Sequence, residues 1–155
     1  MKKGTFVSDV PEVKKQWNLA FDIKPEGKLS KYGSIVHLTT KANCCKEGYR
    51  IPGVWFLPNS LKLLVCVAKD GNGNRCIRSK SELKRGEYSN ILVEQKLVGT
   101  KYKVTLTING EVDGNPLIHT NEPKEFQNVK MYSADPWYDA AVAYVRNLAF
   151  DNVGK

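Results

Sequence analysis

The sequence predicts an all-β protein, built as a sandwich or a barrel, and three observations carry that prediction. Apolar and polar residues alternate with a period of two through much of the chain, the repeat of strands with one buried face. Gly, Pro and Asn interrupt these runs at short intervals. Asn109-Gly110 joins two of the runs. It is the strongest short-range hairpin signal, because a type I′ turn needs positive φ at both central positions.

Taken in order, Trp17, Leu19, Phe21 and Ile23 alternate with Asn18, Ala20 and Asp22, and Pro25 and Gly27 end the run. Ile35 to Thr39 is a second strand, and Val54-Trp55-Phe56 a third, closed by Pro58. Leu61 to Ala68 leads into the turn Asp70-Gly71-Asn72-Gly73, and Asn74 to Ile77 returns from it. Ile91, Val93 and Gln95 begin another strand. Tyr102 to Ile108 alternates with Val104, Leu106 and Ile108 on one face, running into the Asn109-Gly110 turn. Val129 to Tyr132 and Tyr144 to Phe150 supply late strands. Asp139 to Ala143 reads as the one candidate helical turn.

With 155 residues and no Pro/Gly/Ser-rich linker or internal repeat, residues 1–155 are expected to form one domain. No apolar run approaches the roughly 18–20 residues that span a bilayer. The start MKKGTFVSD lacks the apolar segment of a signal peptide, so the chain reads either as cytosolic or as a mature form, and the cysteines favour the second. The chain carries 24 Lys+Arg against 16 Asp+Glu, a formal charge of +8. Such an excess attracts polyanions. The cations are mostly scattered, with clusters at Lys2-Lys3, Lys14-Lys15 and from Arg75 through Arg78, Lys80, Lys84 and Arg85. No nucleic-acid-binding signature accompanies them, so specific nucleic-acid binding is not expected. Sulfated glycan, anionic matrix or phospholipid headgroups suit the charge better.

The order of an FDIKP strand, SIVHLTT, an NCC loop, RIPGVWF, a YKVTLTING hairpin and VKMYSADPWY followed by VRNLAF spans nearly the whole chain. It resembles the laminin-G-like, concanavalin A-like domains, above all secreted members from marine invertebrates with NCC, RIPG and DPWY. The resemblance implies a jelly-roll antiparallel β-sandwich, commonly recognising glycans or matrix proteins through loops along one rim.

Cys44, Cys45, Cys66 and Cys76 are an even set in a β-rich chain, which points to disulfides, an oxidising compartment and a mature extracellular chain. Cys66 and Cys76 are centred on Gly71, so a hairpin places them directly opposite each other, within reach of a disulfide. Cys44 and Cys45 would then form a vicinal pair. The rival arrangement joins each of them to one hairpin cysteine. Zinc fits poorly, since adjacent cysteines chelate one tetrahedral ion badly.

Glycanases of the same sandwich class place three acids on one strand face, where a retaining mechanism needs an acid and a nucleophile about 5–5.5 Å apart. Here Glu111 and Asp113 are followed on that face by Asn115, so the third acid is missing and no hydrolase is expected. His37 and His119 have no nucleophile motif nearby, and His37 reads as a satisfied sheet-face histidine. Asp70, Asn72 and Asn74 offer oxygens at alternate positions, as a calcium loop does. Arg75 and Ser81 occupy the positions that should be Gly and Glu, and turn geometry alone accounts for the Asn and Gly residues. Laminin-G-like domains often hold calcium at a rim, which keeps calcium as the one candidate cofactor.

Aromatic rings stack on sugar faces while Asn, Asp and Arg supply directed hydrogen bonds. Asp135, Trp137 and Tyr138 form one such loop. Arg50, near the cysteine pair, belongs to another. The two loops are expected to share a rim and contact ligand, with a plug of the sandwich end as the plainer role for Trp137. Trp17 and Trp55 read as core. The expectation is therefore a secreted, non-enzymatic module that binds glycans, sulfated polysaccharide or matrix protein. A structural or assembly protein is the alternative and a glycoside hydrolase a distant third.

Overall fold

The computed structural model describes residues 1–69 and 72–154. Among them lie eleven strands and no helix: β1 (Phe6–Val13), β2 (Trp17–Pro25), β3 (Gly33–Thr39), β4 (Gly53–Phe56), β5 (Leu63–Lys69), β6 (Asn72–Arg78), β7 (Ser89–Val98), β8 (Lys101–Ile108), β9 (Glu111–Ile118), β10 (Phe126–Ser133) and β11 (Ala143–Asn152). They form a six-stranded sheet, β1-β10-β3-β4-β5-β6, and a five-stranded sheet, β11-β2-β7-β8-β9. Neighbouring strands run antiparallel throughout.

The core lies between the sheets. Trp17, Leu19, Phe21 and Ile23 of β2 point inward with Ile91, Val93, Val104 and Leu106, and meet Val36, Leu38, Val54, Leu63, Val65 and Ile77 of the six-stranded sheet. The period-two pattern thus places one apolar row from each strand inside, as face-to-face sheet packing requires. β2 shows the clean alternation of a sheet with one wet face. β3 and β4 do not: all their residues are buried. Something other than the second sheet covers their outward side.

Two strands departed from the sequence pattern. β1 carries Pro11 and alternates weakly, and it survives as an edge strand, where a missing N–H costs no ladder bond. β9 contains Glu111 and Asp113 together with Gly114 and Pro116, and it too is an edge, with a register shift opposite Val104 and Leu106. Glu111 and Asp113 are therefore strand residues. The Asp139–Ala143 stretch forms no helical turn. Ser34 N–H donates to the Asp139 carbonyl and Ala141 N–H to the Ser34 carbonyl, an extended bridge that leads the chain into β11. Tertiary pairing overrides the helix preference of the alanines.

Cys66 and Cys76 are directly opposed on β5 and β6 and joined by a disulfide of 2.05 Å. Cys44 and Cys45 form a vicinal disulfide. The calcium candidate lies outside the described residues: Asp70 wholly, and Asn72 and Asn74 in their side chains.

Candidate functional site

The outward face of the six-stranded sheet is organised by one row of opposed residues. Tyr132 pairs with His37, His37 with Gly53, Gly53 with Cys66, and Cys66 with Cys76. Gly53 has no side chain, and the Trp55 ring fills that gap. A Cβ at Gly53 would sit 2.6 Å from Trp55 Cζ3. Trp55 then forms a second apolar cluster with Leu64 and Cys66, separate from the main core, with Tyr32, Leu57, Cys76 and Tyr138 packed against it.

Two loops close over this row. One runs from β3 to β4 and carries the vicinal disulfide and Arg50. The other runs from β10 to β11 and carries Asp135, Trp137 and Tyr138. His37 holds both. Its Nδ1 lies 2.8 Å from Asp135 Oδ2, and its Nε2 lies 2.7 Å from the Tyr49 carbonyl oxygen. Both neighbours are acceptors, and only the doubly protonated ring donates to both at once. Asp135 Oδ1 accepts from the backbone N–H of Trp137 at 3.0 Å and of Tyr138 at 2.8 Å. Its own N–H donates to Ser34 Oγ. Burial pushes the Asp135 carboxyl up, but the bonds from His37, Tyr138 and Trp137 and the charge of His37 outweigh it. The carboxyl is held below the ordinary carboxylate range.

Arg50 is 6% exposed, with its guanidinium carbon 4.7 Å from the Trp55 ring centre. Its Nε donates to the Asn43 carbonyl at 2.9 Å. One terminal nitrogen donates to Asn43 Oδ1 at 3.3 Å and to the Tyr138 hydroxyl at 3.4 Å. This last bond ties the two loops together. The rings continue the connection. Tyr138 stands edge-on to Trp55 at 5.5 Å and to Tyr32 at 6.3 Å, and Trp137 stands edge-on to His37 at 5.4 Å and to Tyr132 at 6.2 Å. Tyr32, Arg50, Trp55, Leu64 and Tyr138 line a depression of about 150 Å³. Trp137 is 38% exposed.

The four sequence candidates thus come together, over a sheet face rather than along a rim, but they do not share one role. Asp135 was expected to contact ligand and cannot, because it is completely buried and its carboxylate is taken up by His37 and two backbone N–H groups. Nor does it pair with Arg50. Trp137 and Tyr138 present the accessible surface, and Arg50 backs it. His37 was missed as part of the site. Its signal was a histidine in an otherwise apolar strand, opposite a loop with an Asp. Trp55 is buried as expected, but it floors the depression instead of joining the main core.

A cleft of about 660 Å³ lies elsewhere and is lined by Lys80, Tyr88, Glu111 and Asp113 among others. Asp113 accepts the Lys80 N–H at 2.6 Å. Burial raises its carboxyl, yet hydrogen bonds from Lys80, Ser81 and Gly114 prevail and hold it low. A carboxyl held ionised is a poor proton donor.

No protein-family model matches the chain, and no curated protein matches it. Its fold does match solved structures. A heptameric SAP-like pentraxin from Limulus polyphemus aligns over 99% of this chain and 76% of its own, at 13% identity and a TM-score of 0.64. An alginate lyase from Alteromonas sp. 272 aligns over 93% and 78%, at 10% identity and 0.52. The binding domain of botulinum neurotoxin DC, in complex with SialylT, aligns over 90% of this chain and a third of its own (33%), at 9% identity and 0.56. At these identities the likeness is one of architecture, and the architecture is a jelly-roll β-sandwich of the concanavalin A-like kind.

Proposed function

We propose that the protein is a non-enzymatic, extracellular, laminin-G-like module that binds a saccharide on the surface formed by Trp137 and Tyr138. The observation that carries this reading is the fixing of that surface. A half-exposed tryptophan is held on a loop whose anchor, Asp135, is buried and bonded to His37, while His37 also bonds the neighbouring loop. Rings fixed before binding lose little freedom when a ligand arrives. The depression beside them supplies aromatic walls from Tyr32, Trp55 and Tyr138. The two disulfides support an oxidising compartment. The neurotoxin binding domain, a third of which aligns with this sandwich, is itself known in complex with SialylT. The low-held Asp113 is a poor general acid in the cleft that it lines.

The test is a glycan array followed by titration of any hit. Saturable binding should weaken about tenfold or more in Trp137→Ala, the loss of one stacking contact of roughly 1.4 kcal/mol. The thermal midpoint should stay nearly constant. An absence of saturable saccharide binding would favour the structural or assembly role instead.

A further inference from the structure

The opposite side of the sandwich carries a cluster that the surface above does not use. On the outward face of the five-stranded sheet, Lys24 of β2 stands opposite Tyr144 of β11, and Asp22 stands opposite Arg146. Asn90 of β7 pairs with Asp22 from the other side, and Tyr88 immediately precedes β7. Their neighbours Phe21 and Ile23 are buried, so alternation turns this set toward solvent.

Two cations gather here around two rings. The Arg146 guanidinium carbon lies 3.6 Å from the Tyr88 ring centre. Lys24 Nζ lies 5.3 Å from the same ring and 5.0 Å from that of Tyr144. Cation–π contact keeps both long side chains from roaming. Asp22 does not absorb the arginine. Its Oδ1 accepts Asn90 Nδ2 at 3.1 Å and its Oδ2 accepts Asn147 Nδ2 at 2.8 Å, while Arg146 reaches Oδ2 only through Nε, at 3.4 Å. Among the described residues, the two terminal nitrogens of Arg146 donate to no protein atom. The Asn147 amide reaches Asp22 from a backbone φ of +57°, inside the register shift between Arg146 and Ala149. Bulges of this kind re-aim side chains. The network bonds the carboxylate chiefly with amides, takes Arg146 only through Nε, and leaves the end of the guanidinium fork open. Tyr144, 59% exposed, offers a flat ring beside it.

We propose that Arg146, Lys24, Tyr88 and Tyr144 form a second saccharide site, for a sugar that bears a carboxylate or sulfate. The free end of Arg146 takes the anionic group in two parallel hydrogen bonds, a geometry that guanidinium supplies and ammonium does not. Lys24 adds charge, and the Tyr144 ring takes the apolar face of the sugar. The net charge of +8 raises the local concentration of such polyanions. This site is independent of the Trp137 surface and goes beyond the function proposed for it.

The experiment measures binding of the whole protein to immobilised hyaluronan, dextran sulfate and uncharged dextran. Hyaluronan carries carboxylates only and dextran sulfate carries sulfates only, so the polymer preferred identifies the anion. Saturable binding to at least one of them, and not to dextran, is expected. Arg146→Gln should weaken it at least about tenfold, as the loss of a charge-assisted hydrogen bond does. Arg146→Lys should weaken it nearly as much, and Tyr144→Ala several-fold, with circular dichroism unchanged because both positions are exposed. Trp137→Ala should leave it intact, which separates this site from the first. Equal binding by Arg146→Lys and the parent would reduce the effect to bulk charge and overturn the proposal. So would parent-like binding by Arg146→Gln, or no binding to either polyanion.

Discussion

Removing the Asp135 carboxylate tests the anchor of the loop surface most directly. In Asp135→Ala, the buried His37 Nδ1–H and the N–H groups of Trp137 and Tyr138 all lose their acceptor. Breaking a buried charge pair by deleting one partner costs roughly 3–5 kcal/mol. For a chain of this length each kcal/mol shifts the thermal midpoint by about 2–4 °C, so the midpoint should drop by roughly 6–20 °C. Asp135→Asn should be much milder, at about 1 kcal/mol. Its amide oxygen keeps the two backbone bonds. Its amide nitrogen can donate to Nδ1 once the ring carries its one proton on Nε2, which still reaches the Tyr49 carbonyl. Acid gives a further check. The folded Asp135 carboxyl is held below its ordinary range, so its contribution is fully present above the unfolded value and is lost as pH falls through the folded one. The gap between parent and Asp135→Ala should therefore narrow in acid. Urea unfolding across a pH series measures all of this. An alanine variant within about 1 kcal/mol of the parent at pH 7, below the cost of a buried unpaired charge, would refute the reasoning. So would a gap that stays constant through the acid range.

Three further outcomes are expected. Replacing Cys66 and Cys76 together by Ser should lower stability by about 2–3 kcal/mol, the loop-entropy value for a crosslink spanning ten residues, as read from denaturant midpoints. Gly53→Ala should cost roughly 1–3 kcal/mol and weaken ligand binding, because the new methyl group displaces the Trp55 ring that floors the depression. Unchanged tryptophan fluorescence in that variant would contradict the packing. Incubation with β-glucans should release no new reducing ends, and release that disappears in Glu111→Gln would revive the hydrolase reading.

Most strands were legible because their signal is local. Trp17 to Ile23 and Tyr102 to Ile108 alternate strictly, and Asn109-Gly110 marks its turn without reference to the rest of the chain. The hairpin disulfide was legible for the same reason, from symmetry about one turn. β1 and β9 were not, because edge strands carry Pro and charges that blunt the pattern. The site was half legible. Composition picked out the loops of Arg50 and Asp135–Tyr138, but it could not say which polar groups face inward. That depends on His37, whose register opposite Tyr132 and Gly53 brings both loops onto one imidazole. A contact 98 residues apart in sequence leaves no local trace.

The placing of the crosslinks has a consequence for how the protein would fail. Cys66 belongs to the small Trp55 cluster, and Cys44 and Cys45 sit in the loop that steadies Arg50. The inter-sheet core of Leu19, Phe21, Val36 and Leu106 contains no sulfur bridge. Reducing agents therefore act on the outer aromatic surface first, while the sandwich beneath keeps its apolar packing. A sample handled in thiol is expected to keep its circular dichroism, elute as a folded species and lose the binding proposed for the Trp137 surface. In such a preparation, inactivity would report the redox history of the sample and say little about whether the chain had folded.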